Sequence, residues 1–299
     1  MARTRNLQES LDQLRRSEPV ILLGMHRSGT SLTTRLLGDL GFHMGYRLSR
    51  DAEAVFFQRL NRRIFSAAGV KWGDVDPLIQ LMDSEAFLAR QTQSVETWLQ
   101  KDRFLLNPGV GVEQFFGRDL WKRMQAQPLD RWGWKDPRTT LTFPIWLRIF
   151  PHAKFVHVLR NGIDVAISTH RRSLKQQRKL RNRLFPLDYS PATLDFDYCF
   201  HLWETYVSFI LDHKDPIPDE NYLEIRYEAL LQNPHSTLKT VLSFLGKAVP
   251  EARLEEASRR IDSSRLNNVQ YAAERGDRIA DLSDSPLMRQ LGYAYPMKG

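Results

Sequence analysis

The 299-residue sequence holds one cysteine, Cys199. A lone thiol excludes an intramolecular disulfide and argues against a cysteine-based zinc cluster, and it fits a reducing compartment. No stretch approaches the roughly 20 consecutive apolar residues that a membrane span requires. The first residues, Met-Ala-Arg-Thr-Arg-Asn-Leu-Gln, carry no apolar core of a secretory signal. These absences predict a soluble, cytoplasmic protein. With 42% hydrophobic and 26% charged residues, the chain is neither disordered nor short of core material, and its length suits one large domain over 1–299.

Acids are missing from one place in particular. The net charge is +8, and residues 171–183 contain seven basic side chains and no acid. The rest of the chain is close to neutral. A surface built for nucleic acid spreads its basicity over a face or several elements, so no nucleic-acid partner is expected and the run reads as a local feature. It is either a solvated helix end or loop, or a dock for an anionic ligand. Seven like charges repel one another, which predicts a segment that stays unordered until an anion arrives.

Leu7, Leu11 and Leu14 at helical spacing predict an amphipathic helix within 1–18. Pro19-Val-Ile-Leu-Leu then reads as a buried strand that enters Gly24-Met-His-Arg-Ser-Gly-Thr-Ser31. Leu32, Leu36, Leu37 and Leu40 follow at helical intervals. Residues 51–131 read as a mainly helical insertion, with loops at Asp74–Pro77 and Asn107–Gly109. Further strands are expected at Lys154–Leu159 and Tyr222–Ile225, with a long helix over about 193–213 between them. Short apolar strands alternating with helices predict an α/β fold: a central parallel sheet flanked by helices, with a P-loop nucleotide-kinase-like architecture and a helical insertion. No internal repeat or low-complexity linker divides the chain.

Two glycines five positions apart, Gly24 and Gly29, between a strand and a helix, make a cradle in which backbone N–H groups converge on an anion. A Walker loop would continue with Lys and then Ser or Thr, and here Thr30 and Ser31 follow directly. The nearest cation is Arg27. The next apolar strand ends in Arg160, where a magnesium-dependent NTPase would place an acid. Both departures point away from a nucleoside triphosphate with magnesium, and no metal is expected. An atypical P-loop nucleotide kinase and a nucleic-acid- or polyanion-binding protein that uses 171–183 remain as other readings.

At these residues the chain resembles the sulfotransferases that use 3′-phosphoadenosine 5′-phosphosulfate (PAPS). Gly24–Ser31 is similar to that family's 5′-phosphosulfate loop. Lys154–Ser168 resembles its 3′-phosphate motif, in which a strand-ending Arg and a Ser eight residues later act together. Tyr222–Leu230, followed by Asn233-Pro234, resembles the strand and turn beside the adenine. Trp132-Gly-Trp-Lys-Asp-Pro-Arg138 resembles the Lys-Asp-Pro segment of the tyrosylprotein and carbohydrate types.

The resemblance implies sulfuryl transfer from PAPS to a hydroxyl or amine of a carbohydrate, peptide or small-molecule acceptor, without a metal. It implies that Arg27, Ser28, Gly29, Thr30 and Ser31 hold the 5′-phosphosulfate, that Arg160 and Ser168 hold the 3′-phosphate, and that Tyr227 meets the adenine. Lys135 would neutralise the bridging oxygen, and Arg138 would serve the loop or the acceptor. Glu53, in a segment that resembles the family's second helix start, is the first candidate for the general base, with His26 and His43 as alternatives. An anionic acceptor would suit the basic run. The family's C-terminal glycine- and lysine-containing loop has no clear counterpart in this chain.

Overall fold

The computed structural model describes residues 12–100, 111–124, 129–180, 190–262 and 276–293. Its centre is a parallel four-stranded sheet in the order β2-β1-β3-β4, formed by β1 (Val20–Leu23), β2 (Gly133–Lys135), β3 (Lys154–Leu159) and β4 (Tyr222–Arg226). Val20 pairs with both Gly133 and Lys154, and Phe155 pairs with Tyr222. Because strand side chains alternate between faces, Ile21, Leu23, Phe155 and Leu159 enter one core and Val20, Leu22, Val156 and Val158 enter the other. Both faces are therefore covered, as a parallel sheet requires.

Helices α1 (Thr30–Asp39), α2 (Val55–Ala67), α3 (Asp76–Met82), α4 (Glu85–Gln100), α5 (Glu113–Phe116) and α6 (Arg118–Met124) precede β2, and α7 (Thr139–Ile149) follows it. After β3 come α8 (Gly162–Leu180) and α9 (Phe196–His213); after β4 come α10 (Tyr227–Gln232), α11 (Pro234–Phe244), α12 (Glu251–Arg259), α13 (Gly276–Ser283) and α14 (Pro286–Gln290). Helices α2 through α9 contribute to the larger core with Ile21 and Leu23, while α1, α11 and α12 pack on the opposite face.

Four features of the fold depart from the sequence pattern. Strand β2 was not expected, since Gly133-Trp134-Lys135 is too short to carry a pattern. Its pairing is dictated by a close approach, because a Cβ on Gly133 would stand 2.0 Å from the Val20 carbonyl oxygen. The predicted Asp74–Pro77 loop ends at Asp76, where Pro77 enters the first turn of α3, a position that suits its missing N–H. The long helix starts at Phe196, not 193, because the Asp195 side chain accepts the Tyr198 N–H as a cap and Pro191–Leu194 forms a 3₁₀ turn. Residues 171–180 of the basic run are helical and form the last part of α8. Helical spacing puts Ser173 inward, buried against Thr193 at 2.7 Å, and this anchors the run. Arg181 and Arg183 lie outside the described residues, as do Leu7, Leu11 and Asn107–Gly109; the expected N-terminal helix is seen over residues 12–15.

Candidate active site

The C-terminal ends of β1, β2 and β3 deliver the glycine loop, Lys135 and Arg160 to one edge of the sheet, as open parallel sheets do for their ligand sites. Gly24 leaves β1 with φ 140° and is pinned by Thr140 of α7, whose Oγ accepts the Gly24 N–H at 2.9 Å and faces the Gly24 oxygen at 3.1 Å. Arg27 itself adopts φ 73°, a left-handed conformation that costs a non-glycine residue energy and tends to occur at functional sites. Ser28 is buried, its hydroxyl donating to the Met25 oxygen at 2.8 Å.

Helix α1 starts immediately after Gly29 with no side-chain cap and no acid in its first turn. Its first N–H groups have no acceptor within the helix, and the positive end of the helix dipole points into the loop. The hydroxyl of Ser31 is already engaged, donating to the Asp51 oxygen at 2.6 Å.

Arg27 Nε donates to Ser168 Oγ on α8 at 2.9 Å, and Arg160 Nη1 donates to the Arg27 oxygen at 3.1 Å. Residues from the glycine loop, the end of β3 and α8 thus meet in one cationic corner. Burial lowers the Arg27 pKa, and the charges of Arg172 and Arg160 add to that. Arg160 lies over the Tyr227 ring, 4.7 Å from its centroid, and its Nη2 is 3.6 Å from Asp164. Its Nε is buried and has no hydrogen-bond partner among the described residues. Tyr227 is buried with its ring flush against Gly29, where an added Cβ would meet it at 2.1 Å.

The second centre is Lys135, 1% exposed, beside Glu53, 8% exposed. Lys135 Nζ donates to the Asp51 oxygen at 2.6 Å and to Ser31 Oγ at 3.2 Å, and stands 3.9 Å from Glu53 Oε1. Burial pushes the Lys135 ammonium down to about 8, against the pull of Glu53, Asp136 and Asp51. Burial raises Glu53, helped by the Asp136 charge and opposed by Lys135 and Arg138. Glu53 also accepts from Gln58 and, at 3.4 Å, from Ser49. Its backbone position is set by the next residue, since the Ala54 N–H donates to the Lys135 oxygen at 3.0 Å.

Asp136 does not pair with Lys135. It binds Arg138 at 3.2 Å and Asn61 Nδ2 at 2.9 Å. Asn61 in turn donates to Thr139 and accepts from Thr142 and Trp146. This buried network welds α2 to the turn after β2 and so fixes the spacing of Glu53 and Lys135. Asn61 and Thr140 lie inside segments of obvious interest, yet no sequence signal distinguishes a buried hydrogen-bond hub from a surface amide or hydroxyl. Asp51 acts through its backbone oxygen, and Arg172, whose Nη2 reaches Asp51 Oδ2 at 2.7 Å, is hidden among seven similar charges.

His26 sits in the glycine loop, half-buried against Trp72 with ring centroids 4.6 Å apart, and its Nε2 has no partner among the described residues. Burial, reinforced by Arg138, Lys135, Arg172 and Arg27, holds it well below the ordinary histidine range. An imidazole that resists protonation so strongly is a poor proton acceptor. His43 packs on Phe115 and Phe116 and directs its Nε2 at the Phe115 oxygen, 3.0 Å away, which is the environment of a core histidine. Among the described residues no group of three or more His, Cys, Asp or Glu is placed to hold a metal, and no helix is long and apolar enough to cross a membrane.

Residues 19–251 match the family model described as "Sulfotransferase family". A curated relative, protein-tyrosine sulfotransferase A of Caenorhabditis elegans, is 23% identical over 181 residues, covering 53% of this chain and 44% of the relative. The match thus spans under half of that protein. Among solved structures, the sulfotransferase domain of the Synechococcus PCC 7002 olefin synthase aligns at 18% identity and a TM-score of 0.46, over 94% of this chain and 97% of that one. A sulfotransferase from Alicyclobacillus acidocaldarius aligns at 15% identity and a TM-score of 0.46, over 89% and 92%.

Proposed function

The chain belongs to the sulfotransferase family, and from that premise we propose that it transfers a sulfuryl group from PAPS to a hydroxyl or amine of an acceptor by in-line displacement. The observation that carries this reading is the meeting of Arg27, Ser168 and Arg160. Arg27 comes from a segment more than 130 residues before the other two, and the group lies beside an uncapped helix N-terminus. The unpartnered Arg160 Nε and the open first turn of α1 are the unsatisfied donors expected of a bis-anionic site.

PAPS supplies the sulfuryl group and, as 3′,5′-bisphosphate, the leaving group. Arg27 and the N–H groups of Gly29 through Ser31, with Thr30 at the first helical position, are suited to the 5′ end, whereas the Ser28 N–H is turned back to the Met25 oxygen at 3.2 Å and Ser28 shapes the loop. Arg160 and Ser168 are suited to the 3′-phosphate, by a charged fork and a hydroxyl. Tyr227, buried beneath Arg160, sets the height of that fork and of Gly29, and its ring edge is the surface we assign to the adenine.

Lys135 meets the charge that grows on the departing oxygen, a preorganised cation in a dry pocket. Glu53 takes the acceptor proton, because its raised affinity for protons brings it closer to working pH than an exposed carboxylate. The acceptor belongs to the hydroxyl- or amine-bearing class of carbohydrate, peptide or small metabolite. A peptide is the class suggested by the name of the nematode relative. A cytoplasmic setting accords with the one cysteine, Cys199, which is buried with its thiol pushed up to about 12.

A thermal-shift panel tests the reading. The desulfated 3′,5′-bisphosphate and PAPS should raise the melting temperature without added metal, since a ligand that binds only the native state stabilises it by mass action. ATP and GTP at the same concentration should raise it far less. Equal shifts for all four would refute a site that reads the 3′-phosphate.

A further inference from the structure

Lys135 does not close on Glu53. Two buried groups of opposite charge close to roughly 2.8 Å when nothing restrains them, yet Nζ stands 3.9 Å from Oε1 and only 2.6 Å from a neutral peptide oxygen, that of Asp51. The same oxygen accepts the Ser31 hydroxyl at 2.6 Å. Asp51 lies in a tight turn in which Ser49 Oγ accepts the N–H groups of Asp51 and Glu53 at 3.3 and 3.1 Å, and Ala52 N donates to the Ser49 oxygen at 3.0 Å. Ala52 holds φ 56°, a conformation that an alanine keeps only where its surroundings enforce it.

Contacts from outside also hold the turn, among them Arg35 Nη2, which donates to the Arg50 oxygen at 3.0 Å. Arg172, one helical turn beyond Ser168 on α8, binds Asp51 Oδ2 at 2.7 Å, with about two fifths of the arginine and one third of the aspartate side chain exposed. Burial raises the Asp51 carboxyl, and the Arg172 hydrogen bond and charge, with the charges of Lys135 and Arg27, together outweigh it to leave a net downward shift. We propose that Arg172 and Asp51 form a strut: the side-chain pair fixes the Asp51 backbone oxygen, and that oxygen holds the Lys135 ammonium off Glu53 so that the carboxylate stays open to an acceptor proton. Arg172 is then a positioning residue acting through Asp51, and one cation of the basic run serves the active site from within. It also ties the helix that carries Ser168 to the turn that carries Glu53. The catalytic meaning of the strut rests on the sulfuryl-transfer reading, whereas its mechanical content does not.

The charged and titratable groups facing Lys135 are Glu53 and Asp51 from the turn, Asp136 from the end of β2, Arg35 from α1 and the imidazole of His26 from the glycine loop. The two explanations of a variant's behaviour therefore differ in sign. Removing the Asp51 carboxylate takes an attractive charge from Lys135 and by itself makes the ammonium easier to deprotonate. If the strut holds, Asp51→Ala also lets Nζ close on Glu53, and the ammonium becomes harder to deprotonate.

The test is the titration of the Lys135 15Nζ resonance, assigned by its loss in Lys135→Met, between about pH 6 and 11 in the full chain and in Asp51→Ala, Arg172→Gln and Arg172→Lys. The strut predicts that the acid dissociation constant falls about tenfold in Asp51→Ala and Arg172→Gln, and returns toward wild type in Arg172→Lys. An unchanged or increased dissociation constant in Asp51→Ala overturns it. The same samples are titrated with the 3′,5′-bisphosphate and assayed for its release from PAPS with water as acceptor. Retained bisphosphate affinity with a turnover number lowered at least tenfold fits the strut, whereas affinity and turnover falling in parallel would make Arg172 a nucleotide ligand instead. Failure of the wild type to bind the bisphosphate would refute the donor reading without touching the Lys135 titration.

Discussion

Lys135 Nζ and Glu53 Oε1 lie 3.9 Å apart in a pocket that leaves both side chains almost fully buried. That separation is too long for a hydrogen bond and short enough for each charge to set the other's titration. Burial shifts both groups toward their neutral forms, Lys135 downward to about 8 and Glu53 upward.

The first prediction concerns pH. Activity requires Lys135 protonated and Glu53 deprotonated, so kcat should rise through the elevated Glu53 titration and fall through about pH 8 as Lys135 loses its proton. Lys135→Arg, which stays charged, should remove the alkaline limb. Lys135→Ala should lower kcat far more than it weakens bisphosphate binding, because the charge it meets develops in the transition state. Loss of nucleotide affinity with turnover intact would make the residue a binding group.

Linkage gives the same pair a stability signature. Lys135 is lowered in the folded state, so between about pH 8 and its ordinary value of roughly 10.5 the unfolded chain binds more protons, and the Lys135 contribution to stability rises with pH. Glu53 is raised in the folded state; its contribution is full below its ordinary value and is lost as pH climbs through the elevated one. Denaturant titrations of wild type and Lys135→Met across this range should diverge on the alkaline side, with only the wild type gaining. Parallel curves would contradict the burial argument.

Glu53→Gln should reduce kcat by about 10²- to 10⁴-fold, the usual worth of a positioned base, and abolish the acidic limb of the pH profile. A retained acidic limb would place the base elsewhere. His26 is a weak substitute, because a proton added there would face Arg138, Lys135, Arg172 and Arg27.

Gly29→Ala tests the seam between the glycine loop and α10. The new Cβ would stand 2.1 Å from the Tyr227 ring at a φ of 104°, so the loop must shift. We expect a loss of about 1 to 3 kcal/mol in denaturant unfolding, the scale of an overpacked core, together with weakened bisphosphate binding. Stability and binding both at wild-type level would show that the seam yields freely.

The parts legible in the sequence were those written in local patterns. Strands β1 and β3 are short, mostly apolar and buried runs, β4 buries only Ile225 and showed itself by its short apolar alternation before a helical pattern, and Gly24, Gly29, Arg27, Arg160 and Ser168 sit at spacings that a strand-loop-helix imposes. Strand β2 escaped because three residues cannot display a period, and its place depends on a partner strand far away in sequence. Asp51 escaped because its contribution is a carbonyl, which every residue possesses. Arg172 escaped because charge alone does not say which way a side chain on α8 points; helical rotation turns Ser173 into the core and Arg172 toward Asp51.

Calorimetric titration without metal decides whether Arg160, joined to Arg27 and Ser168, reads a 3′-phosphate. Adenosine 3′,5′-bisphosphate should bind wild type more tightly than adenosine 5′-monophosphate by about 1.5 to 3 kcal/mol, the worth of hydrogen bonds to a charged group. Arg160→Ala should bring the two ligands to similar affinity. Equal affinities in the wild type, or a preference that survives Arg160→Ala and Ser168→Ala together, would contradict the account.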